Sequence, residues 1–172
     1  MKIGLMTCLI LALLGASHVA WADARPVCNV NADITDTDPK GTNVRAAPGG
    51  AVLAALKNPG DGWIAVHVIS QTGDWYQIDR ARLIDAGGPP EGSVIFHGQG
   101  WLHKSVLGVN GMQNGGVIYA DHDPKSRKID PNAAGEQTIA LLGCWGDYWN
   151  VRARKGIGWT KDICTNMNTT CS

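Results

Sequence analysis

Gly73-Asp74-Trp75-Tyr76-Gln77-Ile78 and Gly146-Asp147-Tyr148-Trp149-Asn150-Val151 match position by position, 73 residues apart. Each begins with a Gly-Asp turn signal and continues in residue types that favour strands. Successive side chains of a strand point to opposite faces. Tyr76 and Ile78 therefore share one face, with Trp75 and Gln77 on the other. In the second stretch Trp149 and Val151 oppose Tyr148 and Asn150. A β unit written twice decides the fold class.

Working outward, the match extends in the same order on both sides. Apolar runs precede the two stretches, Ala65 to Ile69 and Thr138 to Leu142. A Gly-x-Gly-Trp element follows each: Gly98-Gln99-Gly100-Trp101 and Gly156-Ile157-Gly158-Trp159. Upstream, Asn43-Val44-Arg45 leads to Pro48, and Val117-Ile118-Tyr119 leads to Pro124. Short alternating runs separated by turn signals, with no sustained 3.6-residue apolar period, predict an all-β chain. The first copy spans 38–111 and the second 116–172, with Gly111 to Gly116 as the linker and 23–37 as an N-terminal lead-in.

The copies differ in one place. Trp75 to Trp101 is 26 residues, whereas Tyr148 to Trp159 is 11, so the first copy carries 15 more, roughly 82–97. That insert contains Gly87-Gly88-Pro89-Pro90-Glu91-Gly92, which breaks helix and central strand alike. The expectation is a long surface excursion.

At the start, Lys2, an apolar run from Ile3 to Leu14 and Ala20-Trp21-Ala22 describe a secretory signal peptide over 1–22, cleaved before Asp23. The run is shorter than the roughly 20 residues that span a bilayer, so no membrane insertion is expected after cleavage. Export places the mature protein in the periplasm or outside the cell. Lys and Arg number 15, equal to Asp and Glu. Removing Lys2 leaves a charge of −1, which offers no field to collect nucleic acid. Without Cys8, four cysteines remain: Cys28, Cys144, Cys164 and Cys171. In an oxidising compartment they imply two disulfides, with three connectivities open.

Catalytic and metal patterns are poorly supported. No Gly-x-Ser-x-Gly elbow exists in the mature chain, and Glu91 and Glu136 are its only glutamates. No Cys-x-x-Cys pair suggests zinc. Asp36-Thr37-Asp38-Pro39-Lys40-Gly41 starts like a calcium loop but has Ala47 where the bidentate Glu belongs. It reads as a polar turn, as does Asp121-His122-Asp123-Pro124. The expectation is a binding protein without cofactor or metal rather than an enzyme.

Taken together, Gly41, Asn43, Val44, Arg45, Pro48, Trp75, Ile78, Gly100 and Trp101 in the first copy resemble the bacterial SH3-like domain family. Tyr119, Pro124, Tyr148, Val151, Gly158 and Trp159 supply the second copy, which departs from the pattern at its start and has Tyr148 where the family has Trp. The resemblance implies two small SH3-like β-barrels in tandem. It also implies a ligand from the cell wall, peptide or glycan, or another envelope protein. A secreted inhibitor or assembly factor without cell-wall affinity is the rival. Six Trp remain after the signal segment, and aromatic rings are favoured anchors of recognition surfaces. The expected ligand-binding residues are Trp75, Gln77 and Trp101, and Tyr148, Asn150 and Trp159, with the first copy dominant.

Overall fold

The computed structural model describes residues 27–164 except 59, 86–87, 90 and 134–138. The expected signal peptide over 1–22, Cys171 and Glu136 lie outside the described residues. The chain is all-β and antiparallel, as the alternating runs predict. Strand β1 (Val27–Ile34) comes first. The first copy supplies β2 (Thr42–Arg45), β3 (Val52–Leu56), β4 (Trp63–Thr72), β5 (Trp75–Ile84) and β6 (Ser93–His103). A 3-10 turn (Lys104–Val106) leads to β7 (Leu107–Val109). The second copy supplies β8 (Ile118–Tyr119), β9 (Lys128–Asp130), β10 (Ile139–Trp145), β11 (Tyr148–Ala153) and β12 (Gly156–Thr160). They form one open ladder in the order β3-β2-β6-β5-β4-β1-β7-β10-β11-β12-β8-β9.

The written repeat is also a repeat of pairing. Three strands meander in each copy, and the copy's first strand returns to pair with its last. Trp101 faces Gln77 on one side and Arg45 on the other. Trp159 faces Asn150 and Tyr119 in the same way. One glycine in each copy explains the Gly-Trp element. A Cβ on Gly100 would collide with Val44 Cγ1, and one on Gly158 with Tyr119 O and, at 2.6 Å, with Ile118 Cγ2. Only a bare backbone lets the first strand cross the last so closely.

Alternation sorts the faces as expected. Tyr76, Ile78, Trp149 and Val151 are buried, whereas Trp75, Gln77, Tyr148 and Asn150 are partly exposed. The buried side chains of both copies join in one cluster, from Val44 and Ile78 to Ile118 and Val151.

Two segments do more than their sequence suggested. The lead-in is the joint of the molecule: β1 pairs with β4 on one edge and β7 on the other, and β7 pairs with β10. Cys28 on β1 is bonded to Cys144 on β10, their Cα atoms 5.6 Å apart. Trp149 Nε1 donates to Asn31 O at 2.7 Å, and Asn29 Nδ2 donates to Asp147 Oδ1 at 2.8 Å. The linker is held rather than open: Met112 is buried, bridges to Ile163, and Gln113 N donates to Asp162 O.

Much of the insert, expected as a long surface excursion over roughly 82–97, is strand. Arg82 pairs with Val94 and Leu83 with Ser93, so most of it lengthens the β5–β6 hairpin. Between the two arms Gly92 takes a positive φ of 72°. Val94-Ile95-Phe96, apolar and β-branched or aromatic, continued the strand pattern beyond the Gly-Pro cluster.

Candidate functional site

Outward-facing aromatic residues gather in the second copy. Cys144 points inward into its disulfide, so its neighbour Trp145 points out and is 49% exposed. The turn at Gly146 and Asp147 brings Tyr148 opposite Trp145. Across β11 and β12, Trp159 lies opposite Asn150. His122, from the turn between β8 and β9, is at the centre. Its ring centroid lies 5.0 Å from that of Trp145, 5.3 Å from Trp159 and 6.5 Å from Tyr148. The Asp121-His122-Asp123-Pro124 turn is polar, as read: Asp121 Oδ1 accepts from His122 N, and Asp123 Oδ1 from Lys125 N, each at 2.8 Å. The same Asp121 oxygen is 2.6 Å from His122 Nδ1, an ion-pair distance without hydrogen-bond alignment.

Charged groups rim the rings. Lys161 Nζ sits 4.5 Å from the Tyr148 ring centroid and 3.5 Å from Asp147 Oδ2. The hydrogen bond from Asn29 and then the Lys161 charge hold the Asp147 carboxyl below its usual range. Asn150 Oδ1 is buried and accepts no hydrogen bond. Its counterpart Gln77 is fully engaged: Ser70 Oγ donates to its Oε1 at 2.9 Å, and its Nε2 donates to Gln99 Oε1 at 3.1 Å.

The first copy does not build the same surface. Trp101 is only 6% exposed, and Trp75 meets His103 edge-on at 5.1 Å. Trp75 and His103 border a polar recess of about 210 Å³ with Asp36, Asp38 and Arg45. Arg45 Nη1 there donates to Gly50 O at 2.7 Å. The Asp36–Gly41 turn is self-satisfied, with Asp36 accepting from Asp38 N and Thr42 Oγ1, and Asp38 from Lys40 N. Of the six residues expected to bind ligand, the structure brings Tyr148, Asn150 and Trp159 together. In the first copy Trp101 stands opposite Gln77 in the same register but is buried, and Trp75 is partly exposed. His122, Trp145 and Lys161 were missed. Trp145 was legible from parity, one step from an inward Cys144. His122 was not, because its place depends on how the β8–β9 turn folds over β12.

Of the four cysteines, Cys28 and Cys144 are paired and Cys164 is disulfide-bonded, with Cys171 outside the described residues. No helix among the described residues is long and apolar enough to cross a membrane.

No family model and no curated protein matches the chain. Among solved structures, it is similar to NlpC1 from Trichomonas vaginalis at 12% identity and a TM-score of 0.34. The alignment takes in 90% of this chain and spans 50% of that one.

Proposed function

We propose that this chain is an exported, non-catalytic binding module of the cell envelope, built as two SH3-like repeats, that recognises cell-wall peptide or glycan through its second copy. The observation that carries the reading is the group of an exposed Trp145 with partly exposed Tyr148 and Trp159 around His122. Exposed rings beside polar groups suit a sugar face or an extended peptide, because both present apolar surface interrupted by hydrogen-bonding groups. Asp121 and Lys161 supply the polar part. A disulfide joining β1 to β10 fits an oxidising compartment.

Co-sedimentation of the purified chain with insoluble peptidoglycan tests this. The chain should pellet with the wall material and be released by soluble wall fragments. Retention in the supernatant at all concentrations tried would refute cell-wall affinity.

One observation favours the rival, a protein partner. Val52 and Leu53 on β3, the terminal strand of the ladder, are 49% and 54% exposed. An exposed apolar edge strand suits a partner that adds a strand. A chain that ignores peptidoglycan but retains an envelope protein in a form lost on Leu53→Lys would support that alternative.

A further inference from the structure

A second feature lies away from the aromatic surface, on the outer face of β1, β4 and β5. Two cross-strand rows run side by side there. Asp33 pairs with Ala65 and Ala65 with Arg82; Asn31 pairs with His67 and His67 with Arg80. Together they line a cavity of about 220 Å³, with Val109 and Ile163 also in its lining. This is below the roughly 300–1,000 Å³ of sites that take drug-sized molecules, so it has room for one small group rather than a polymer.

The cavity holds two guanidinium groups that are incompletely matched. Among the described residues Arg80 has no ion-pair or hydrogen-bond partner for its guanidinium. Arg82 Nη1 donates to Glu91 O at 2.8 Å, but its buried Nε donates to nothing. The carboxylates nearby do not neutralise them. Asp79 Oδ1 is held by His67 Nδ1 at 2.8 Å, and His67 Nε2 lies 3.0 Å from Asn29 Oδ1. Asp33 is pushed up to about 7 by burial, against hydrogen bonding from Asn110 that acts the other way. Glu91 is the other carboxylate in the lining. Two forks of N–H donors in a small, half-enclosed space match the two oxygens of a carboxylate.

We propose that this cleft binds the carboxylate of a small ligand, of the class of a short peptide's C-terminus, between Arg80 and Arg82. The apolar wall of Val109 and Ile163 takes the side chain next to that carboxylate. An ionised Asp33 repels the ligand and a neutral one donates to it, so affinity falls as pH rises from 6 to 8. The site is separate from the aromatic surface, and its test is independent of wall binding.

The test is an amide chemical-shift titration of the whole chain with N-acetylalanylalanine and, separately, with the same dipeptide as its C-terminal amide. The acid should shift the amides of Asp33, His67, Arg80 and Arg82, and the amide should leave them unmoved. Arg80→Gln should weaken the acid about tenfold, the size of one lost charge-assisted hydrogen bond, with the spectrum otherwise unchanged. Asp33→Asn should remove the pH dependence. Equal shifts with acid and amide, no shifts with either, or tighter binding of inorganic phosphate than of the dipeptide would overturn the proposal. The comparison of two ligands on the unmodified chain decides it even where a variant misfolds.

Discussion

Tyr76 and Trp149 occupy the same place in the two copies, each the second residue after a Gly-Asp turn and each buried on the inward face of its strand. Their polar atoms fare differently. Trp149 Nε1 reaches across to Asn31 O, whereas the Tyr76 hydroxyl is buried with no partner. The second copy thus joins itself to β1 through its core ring, and the first copy joins β1 through a long ladder with β4. Outside, the contrast reverses. The first copy buries Trp101 and lengthens a hairpin, while the second exposes Trp145 and gathers partly exposed Tyr148 and Trp159 around a histidine. One strand pattern supports two uses, because parity fixes which side chains face in but not what covers those that face out.

The largest expected effect tests whether the copies unfold together. Cys28 and Cys144 close a loop with a sequence separation of 116. In the chain-entropy model such a bond is worth about 5 kcal/mol. Replacing both by Ser should lower the melting temperature strongly while keeping a single transition, because β1 still pairs with β4 and β7. Two separated calorimetric transitions would show that the copies are independent and break the comparison at its base.

Next come the paired glycines. Gly100→Ala and Gly158→Ala each force a methyl into the crossing of first and last strand, which should cost about 1–3 kcal/mol by overpacking. Denaturant midpoints should fall by similar amounts in both. A loss in only one copy would mean that the pairing repeat does not carry equal weight.

Smaller still is the contrast between the core rings. Trp149→Phe removes a buried donor and leaves the Asn31 carbonyl unmatched, at about 1–3 kcal/mol. Tyr76→Phe removes a hydroxyl that bonds to nothing, so stability should hold or rise. Urea melts of the two variants should differ in sign or at least clearly in size.

The pH dependence gives a signed test. Asp33 titrates higher in the folded chain than the model-peptide value of about 3.9. A raised carboxyl contributes stability that is full below its unfolded value and is lost as pH rises toward about 7. Asp130 behaves oppositely: hydrogen bonds from Lys155 and the Asn132 amide hold its carboxyl low, so its contribution is present above the unfolded value and lost in acid. In denaturant melts the stability gained by Asp33→Asn over the unmodified chain should therefore be larger at pH 8 than at pH 5.

Much of this was legible in the sequence. The Gly-Asp-aromatic stretches gave the inward and outward faces because strand parity is local. The lead-in was less so: nothing in Val27 to Ile34 says which strands it will pair with, since register between distant strands is set by the assembled core. The insert misled because the Gly-Pro cluster of its sequence drew attention from two flanking arms that pair as ordinary strand. His122 was invisible because a turn residue's side chain is placed by tertiary folding, not by its neighbours in sequence.

The central claim is that ligand recognition belongs to the second copy. Peptidoglycan co-sedimentation of Trp145→Ala and Trp75→Ala beside the unmodified chain tests it most directly. Trp145 is half exposed, so its loss should leave stability within about 0.5 kcal/mol. Truncating a ring at a binding centre commonly costs about 2 kcal/mol or more, roughly thirtyfold in affinity. The account predicts that Trp145→Ala loses wall binding on that scale with its fold intact, while Trp75→Ala binds as the unmodified chain does. Unchanged binding by Trp145→Ala together with loss in a folded Trp75→Ala would contradict it.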